Sequence, residues 1–501
     1  MRVRLSRRAF IRWVIAGTAA ACLPEPLRAA LEKGRGVPAP RLGSEGFSLC
    51  HDVRDGVSLP DPAPSLDCGV IVVGGGPSGL AAADRLAGTD FLLLEKEPAV
   101  GGNCTFEEWE GLRYGTGAAW CSLFTPEVER LFKRWGFELL PISGYDAARF
   151  EGVWIDDFWN GRPDNPALDK LPYPRSVRDG FKRFASDIQR LDLEKEKARL
   201  DSMTFASALK DYPPQLAAFW DSFGPSNWGA KTGDTSAYAG LMCARDWPKD
   251  KRYSFEGGMG VGAKRIYDQL PESDKRRVRT GAAVYRVRRG PKGAVVNWFE
   301  DGSARTARAK AVVMAAPKFM ARRLVEGLPE AQSAAMGAMR YAPYLMVNLC
   351  FERAVWSRAY DNYPVGARSF TDFIPADFVR VGREGKPGRR QVITVYCPLD
   401  GSQRHALLDD GATLERAEAA AAEFCSMVPD AERSLREVRV FRRGHAMPMA
   451  VPGGLTRLQP AASADFPPVF FAASDSAGEI SDLAYAAFNG IAAAEKALRL
   501  L

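Results

Sequence analysis

Six consecutive residues, Gly74-Gly75-Gly76-Pro77-Ser78-Gly79, and an acid shortly after them, Glu95, are the residues whose types and spacing point most directly to chemistry. They fit the pattern GxGxxG. In that pattern the first glycine (Gly74) permits a tight turn, the second (Gly76) lets the backbone approach a pyrophosphate, and the third (Gly79) lets a helix sit close to a strand. A helix that starts at the glycines offers unpaired N–H groups and a partial positive charge to the phosphates. Glu95 is suited to accept hydrogen bonds from ribose hydroxyls, and its charge opposes a 2′-phosphate. The implied ligand is a dinucleotide.

These residues need elements to hold them. Residues 70–73 are a continuous β-branched run, which reads as a strand buried on both faces. Residues 80–86 read as a small-residue helix, and 91–94 as a second strand ending at Glu95. Strand, glycine turn, helix, strand and acid in this order are far more specific than the glycines alone. A second Gly-rich stretch, GGMGVGAK at 257–264, lacks the Gly-Lys-Ser/Thr ending of a phosphate loop. It reads as a turn before a helix over 263–270. No second complete nucleotide fingerprint occurs, which argues against a dedicated NADPH domain.

Lys96 follows the acid; Pro98, the pair Gly101-Gly102, and then GLRYGTGAAW (111–120) come next. This succession resembles the FAD-binding superfamily of flavin amine oxidases, phytoene desaturases and protoporphyrinogen oxidases. The resemblance implies FAD, with Gly117-Ala118 and the adjoining Ala119 beside the flavin ring. Asn103 stands where the family usually has arginine, so one phosphate contact is lost or replaced. Residues 283–319 read as a strand, a hairpin turned at Asp301-Gly302 and an apolar strand ending at Ala315-Ala316-Pro317. The resemblance implies that Val284 places a backbone group on the adenine and that Ala316 lies at the cofactor. Residues 469–498 read as strand, acid, loop and helix. Here it implies Asp475 on the ribityl chain, and a helix start at Tyr485-Ala486 aimed at flavin N1 and the C2 carbonyl. A helix dipole there stabilises the negative charge that hydride arrival leaves near N1.

The blocks 68–121, 254–324 and 441–501 therefore read as three parts of one Rossmann-like α/β FAD-binding domain. Residues 122–253 and 325–440 read as two parts of an α+β substrate domain. Residues 344–351 and 391–399 are strand-like, and Trp135, Trp154, Trp159, Trp220, Trp228 and Trp247 are either core or the wall of a pocket for an apolar or cationic substrate. Trp120 follows the Gly-Ala pair and is a candidate substrate contact. Monoamine oxidases carry a lysine in the strand matching 344–351; Met346 takes its place here, with Asn348 two residues on. Asn348 is a candidate water ligand or an ordinary polar strand position. His445, in RGHAMPM, is a candidate base or a rim histidine.

The resemblance implies hydride transfer from a C–H beside nitrogen, or beside an unsaturated carbon, to flavin N5. Oxygen or a periplasmic electron carrier would then reoxidise the flavin. The alternatives are a flavin isomerase or mutase without net redox change, and a non-catalytic FAD-binding protein.

The remaining signals concern location. The net charge of +7 is concentrated at the N-terminus: residues 1–29 carry a net +5, which leaves +2 for the rest and gives no case for nucleic acid. Ser6–Arg12 (SRRAFIR) resembles a twin-arginine signal ahead of an apolar stretch at 13–23. That implies the folded-protein export machinery as a partner and the periplasm as destination, with 1–30 as signal and 31–67 as a polar linker. Cys22 follows three alanines and is a candidate lipid attachment point. The 13–23 stretch is about half of the ~20 residues that span a bilayer, and no apolar run elsewhere is long enough. The nine cysteines form no CxxC pair and there are three histidines, so zinc and haem are not expected. One or two disulfides are compatible with an oxidising compartment.

Overall fold

A computed structural model describes residues 37–43, 48–122, 125–142, 146–246, 252–380, 388–476 and 478–501. The twin-arginine stretch, Cys22 and Trp247 lie outside the described residues.

The nucleotide lobe is built on the buried β-branched runs. Leu66–Val73 pairs in parallel with Phe91–Leu94 on one side and with Ser303–Met314 on the other. Val278–Arg279 extends the sheet beyond Phe91–Leu94, again in parallel. The long Ser303–Met314 strand changes partner along its length. Its first part pairs antiparallel with Gly293–Glu300, which in turn pairs with Ala283–Gly290. Its last three residues pair in parallel with Val469–Phe471. The hairpin turns at Asp301 (φ +50°) and Gly302 (φ +71°). Both are left-handed, as a two-residue turn matched to strand twist requires.

The second lobe holds an eight-stranded sheet in the order Arg41–Leu42, Leu435–Pro448, Tyr341–Phe351, Gln391–Pro398, Asp372–Pro375, Asp361–Pro364, Asp146–Phe150, Val153–Asp156. Tyr341–Phe351 is buried on both faces, and strand alternation sorts its side chains. Leu345, Val347, Leu349 and Phe351 pack with Ala417, Ala420 and Phe424 of the helix Asp410–Met427. Tyr344, Met346 and Cys350 share a core with helices Arg175–Gln189, Pro214–Trp228 and Ala237–Asp246. Trp159, Trp220 and Trp228 are buried in that core, while Trp135 lies in a different core.

Three expected boundaries move. Residue 440 falls inside the Leu435–Pro448 strand, so the second lobe runs on to Pro448. Residue 253 falls inside the short strand Arg252–Ser254. The expected linker holds Arg41–Leu42, paired with Arg439 and Val440, and the helix Ser48–Arg54. Cys50, Cys68, Cys104, Cys121, Cys350, Cys397 and Cys425 form no disulfide among the described residues. No helix among the described residues is long and apolar enough to cross a membrane.

Candidate active site

The cradle forms where the central strand ends. Gly74, at φ +104°, turns the chain, and Pro77 opens the helix Pro77–Arg85, where its missing N–H costs no intrahelical bond. A Cβ on Gly79 would sit 1.8 Å from the Gly74 oxygen, so only glycine closes this turn. A Cβ on Gly76 would meet only the Gly102 Cα, at 3.8 Å; this backbone faces the cavity, as close approach of a phosphate requires. Gly101 N–H donates to the Gly75 oxygen at 2.9 Å and docks the second glycine pair on the first. Gly79 and Gly101 shape the wall, while Gly74, Gly76, Pro77, Ser78 and Gly102 line the cavity itself.

Glu95 is buried at the end of its strand. Its Oε2 accepts from Gly75 N–H at 2.6 Å and its Oε1 from Glu97 N–H at 2.8 Å. Burial pushes the carboxyl above its ordinary range, and the Gly75 N–H and the Lys96 charge oppose that push. Glu95, Lys96, Val284 and Ala316 all line the same cavity. The Asn103 backbone oxygen accepts from Ala118 N–H at 2.9 Å, and a Cβ on Gly117 would lie 2.0 Å from that oxygen. The Asn103 side chain donates to the Ala446 oxygen at 2.5 Å. The guanidinium missing at 103 has a neighbour in Arg443, which lines the cavity and donates to Thr105 Oγ1 at 2.7 Å.

The helix Leu483–Leu498 brings its first turn to the Gly117–Trp120 strip, with Tyr485 and Ala486 on the cavity wall. Its N-cap is Asp482, whose Oδ1 accepts from Ala484 N–H at 2.7 Å and whose Oδ2 accepts from Ser122 N–H at 3.2 Å. Burial pushes this carboxyl up to about 7, against both backbone donors. Asp475 does not play the expected part. It is 2% exposed, and both its oxygens are held inside the protein: Oδ1 by Lys318 Nζ at 2.7 Å, Oδ2 by Lys318 N–H at 2.8 Å and Tyr341 OH at 2.7 Å. The acid after the last strand is thus spent on a buried ion pair.

From the cradle a continuous cavity of about 1360 Å³ runs beneath the eight-stranded sheet. Its far end is lined by Trp120, Phe223, Trp228, Tyr344, Met346 and Tyr396. Tyr396 OH donates to the Gly117 oxygen at 3.3 Å and Tyr360 OH to the Ala119 oxygen at 3.1 Å, so two phenols frame the Gly-Ala strip. The Arg252 guanidinium lies 5.5 Å from the Trp120 ring centroid. Met346 faces the cavity, and Asn348 does not. Asn348 is fully buried further along the strand, where its Oδ1 accepts from Thr394 Oγ1 at 2.8 Å, and it is not part of the cavity wall. His445 lines the cavity and stacks on Phe319 at 4.0 Å. Burial, helped by Arg404, lowers its pKa to about 4, so the ring is neutral at neutral pH.

Sequence reasoning missed several wall residues. Cys50, His51 and Arg54 come from the stretch read as linker. Asp361 and Asp372 come from two four-residue strands too short to show a period. Asp482 carried a signal that was passed over: an acid immediately before a helix is a cap.

Comparison with known proteins agrees with this geometry. The sequence model of the flavin containing amine oxidoreductases matches residues 77–498. A carotenoid 3,4-desaturase from Haloarcula japonica is 42% identical over 131 residues, 24% of this chain and 26% of that protein. The chloroplastic protoporphyrinogen oxidase 1 of Spinacia oleracea is 24% identical over 332 residues, 58% of this chain and 57% of that protein. The chain thus spans about a quarter and just over half of these two relatives. Among solved structures, a doubly substituted putrescine oxidase superposes with a TM-score of 0.66 at 20% identity, covering 87% of this chain and 100% of that one. Cyclohexylamine oxidase from Brevibacterium oxydans does so with a TM-score of 0.65 at 18% identity, covering 87% and 99%. These likenesses show the fold.

Proposed function

The chain belongs to the family of flavin containing amine oxidoreductases, and from that premise we propose that it is an FAD-dependent oxidoreductase, exported folded to the periplasm, that takes hydride from a small-molecule substrate. The observation that carries this reading is the continuity of the cavity. A dinucleotide cradle with an acid at its strand end opens directly into a chamber of aromatic and apolar side chains.

The residues present fit FAD. Gly74–Ser78 and Gly102 would hold the pyrophosphate, Glu95 the ribose and the Val284 backbone the adenine. Gly117–Ala119 and the first turn at Tyr485-Ala486 would flank the ring. Bound there, the flavin supplies the hydride acceptor, which no side chain can provide. The chain's own residues do the rest. Trp120 and Tyr396 fix the volume in which a C–H bond can lie against the ring strip, which is the positional part of catalysis. The N-termini of helices Pro77–Arg85 and Leu483–Leu498 would offer their dipoles to the pyrophosphate and to the ring, respectively. His445, neutral beside Phe319, adds no charge to the wall.

The test is an anaerobic reduction screen. Oxidised holoprotein is mixed with polyamines, amino acids, aromatic amines and isoprenoids, and flavin absorbance is followed. Bleaching by one of these classes is expected. Reduction by dithionite but by none of them contradicts the proposal. Product formed only after prereduction would indicate an isomerase instead.

A further inference from the structure

A side alcove of about 320 Å³ lies against the main cavity, and the two share Phe319, Arg404 and His445 in their walls. Arg340, Tyr341 and Ser402 add further polar side chains to the alcove. Trp120, Met346 and Tyr396 do not line it, so it stands apart from the chamber in which a substrate would meet the ring strip.

The alcove is positively charged, and no acid lines it among the described residues. Arg404 Nε donates to the Gly444 oxygen at 2.7 Å, and Arg404 Nη2 donates to the Tyr341 oxygen. Both partners are backbone carbonyls; no carboxylate pairs with this guanidinium among the described residues. Arg340 pairs with Asp234 at 2.9 Å, but both side chains are at least half exposed, so water screens that pair. Asp400, just ahead of Gly401, is exposed and pairs with neither arginine among the described residues. Burial, and then the Arg340 charge, hold the Arg404 guanidinium below its ordinary range. A half-buried guanidinium beside a second one, with no acid of its own, is an unbalanced charge.

Two more donors border the alcove. His445 stacks on Phe319 at 4.0 Å and meets the Tyr341 ring edge-on at 6.1 Å. Neither its ring nitrogens nor the Ser402 hydroxyl has a hydrogen-bond partner among the described residues. A guanidinium fork with an N–H and an O–H beside it matches the oxygens of a carboxylate or a phosphate. The titratable groups that face His445 are Arg404 of the helix Gly401–Leu408, Tyr341 of the strand Tyr341–Phe351 and His51 of the helix Ser48–Arg54. The Tyr341 hydroxyl is committed to Asp475, whose own charge is met by Lys318.

We propose that this alcove is an effector site for a small free oxyanion, phosphate or a simple carboxylate, held by Arg404 and Arg340 with His445 and Ser402 beside it. An anion there offsets the Arg404 charge, which helps to keep the His445 ring unprotonated. His445 also lines the main cavity, so occupancy of the alcove changes the charge on a wall that the cofactor chamber shares. The site does not depend on the oxidoreductase reading.

The test uses the full chain saturated with FAD and carrying isotope-labelled histidine, followed by NMR at one fixed pH. Sodium phosphate and sodium acetate are each titrated against sodium chloride at equal ionic strength. The chain has three histidines, and His445→Gln identifies the resonance of interest. Phosphate or acetate is expected to shift the His445 resonance saturably, and chloride is not. The anion with the lower half-saturating concentration identifies the class. Arg404→Gln is expected to raise that concentration at least about tenfold, as loss of a charge-assisted hydrogen bond does, and Arg340→Gln to raise it in the same direction. A shift that never saturates, that chloride reproduces, or that both variants leave unchanged overturns the site. A phosphate shift seen only in FAD-free protein would place the anion in the dinucleotide cradle and likewise overturn it. If Arg404→Gln does not fold, Arg340→Gln decides, because its half-exposed side chain lies outside the core. Protein that takes up no FAD contradicts the oxidoreductase reading, and the two arginine variants then decide the alcove alone.

Discussion

Gly76 and Gly79 are three residues apart, yet they constrain different things. A methyl at 79 would collide with the Gly74 oxygen, while a methyl at 76 would enter the cavity. Gly79→Ala is expected to destabilise the fold by about 1–3 kcal/mol, as overpacking does, read as a lowered unfolding temperature. Gly76→Ala is expected to leave apoprotein stability nearly unchanged and to abolish retention of flavin, read from the absorbance of purified protein. The Lys318–Asp475 pair is a different kind of constraint, with both side chains at or below 2% exposure. Lys318→Met leaves a buried carboxylate and is expected to cost about 3–5 kcal/mol. Adding Asp475→Asn should recover part of it, measured by denaturant titration. Asp372 gives a pH signature. Its carboxyl titrates near 7 in the folded protein against an ordinary value of 3.8. Over that window the unfolded chain releases a proton that the folded chain keeps. The stability from this group is complete below pH 4 and is lost as pH rises through 7. Asp372→Asn should flatten the fall in melting temperature between pH 5 and 8. At this scale the glycines and Glu95 were legible because their function follows from local spacing. Asp475 was not, because its partner Lys318 lies 157 residues away in the chain.

Among the elements, the helices Pro77–Arg85 and Leu483–Leu498 cross where the cofactor is expected, although residues 86–482 separate them in the chain. Gly490 makes the crossing, since a Cβ there would lie 2.0 Å from the Ser78 oxygen. Gly490→Ala is expected to push the helices apart, at about 1–3 kcal/mol, and to release flavin, because Ser78 belongs to the cradle. Isothermal titration of apoprotein with FAD checks this. The nucleotide-lobe elements were readable in advance. The runs at 70–73 and 91–94 coincide with buried parallel strands, and Asp301-Gly302 makes its hairpin. The strand Leu435–Pro448 was harder to bound. Its half-buried second part, RRGHAMP, carries no clean alternation, and the expected boundary at 440 falls just ahead of that part, inside the strand. Arg41–Leu42 forms a strand of two residues, too short for a periodic signal, and tertiary pairing alone creates it.

For the molecule as a whole, the cavity exists only when both lobes have closed. Its wall takes residues from Cys50 to Ala486. An exported protein with such a site gains from leaving the cytoplasm already folded around its cofactor, which is the reading proposed for Arg7 and Arg8. Replacing both with lysine is expected to leave yellow, folded protein inside the cell, with undiminished export as the contrary result. The two-lobe division was legible in the alternation of nucleotide-like and aromatic-rich blocks; the acidic end of the chamber was not, because three strands and a helical lobe assemble it. The central claim is that this one cavity holds FAD and oxidises a substrate against it. The most direct measurement is anaerobic titration of purified holoprotein with candidate amines, with flavin absorbance followed against protein concentration. The account predicts about one FAD per chain, bleached stoichiometrically by an amine. Protein that neither carries nor takes up FAD, or flavin that only dithionite reduces, would contradict it.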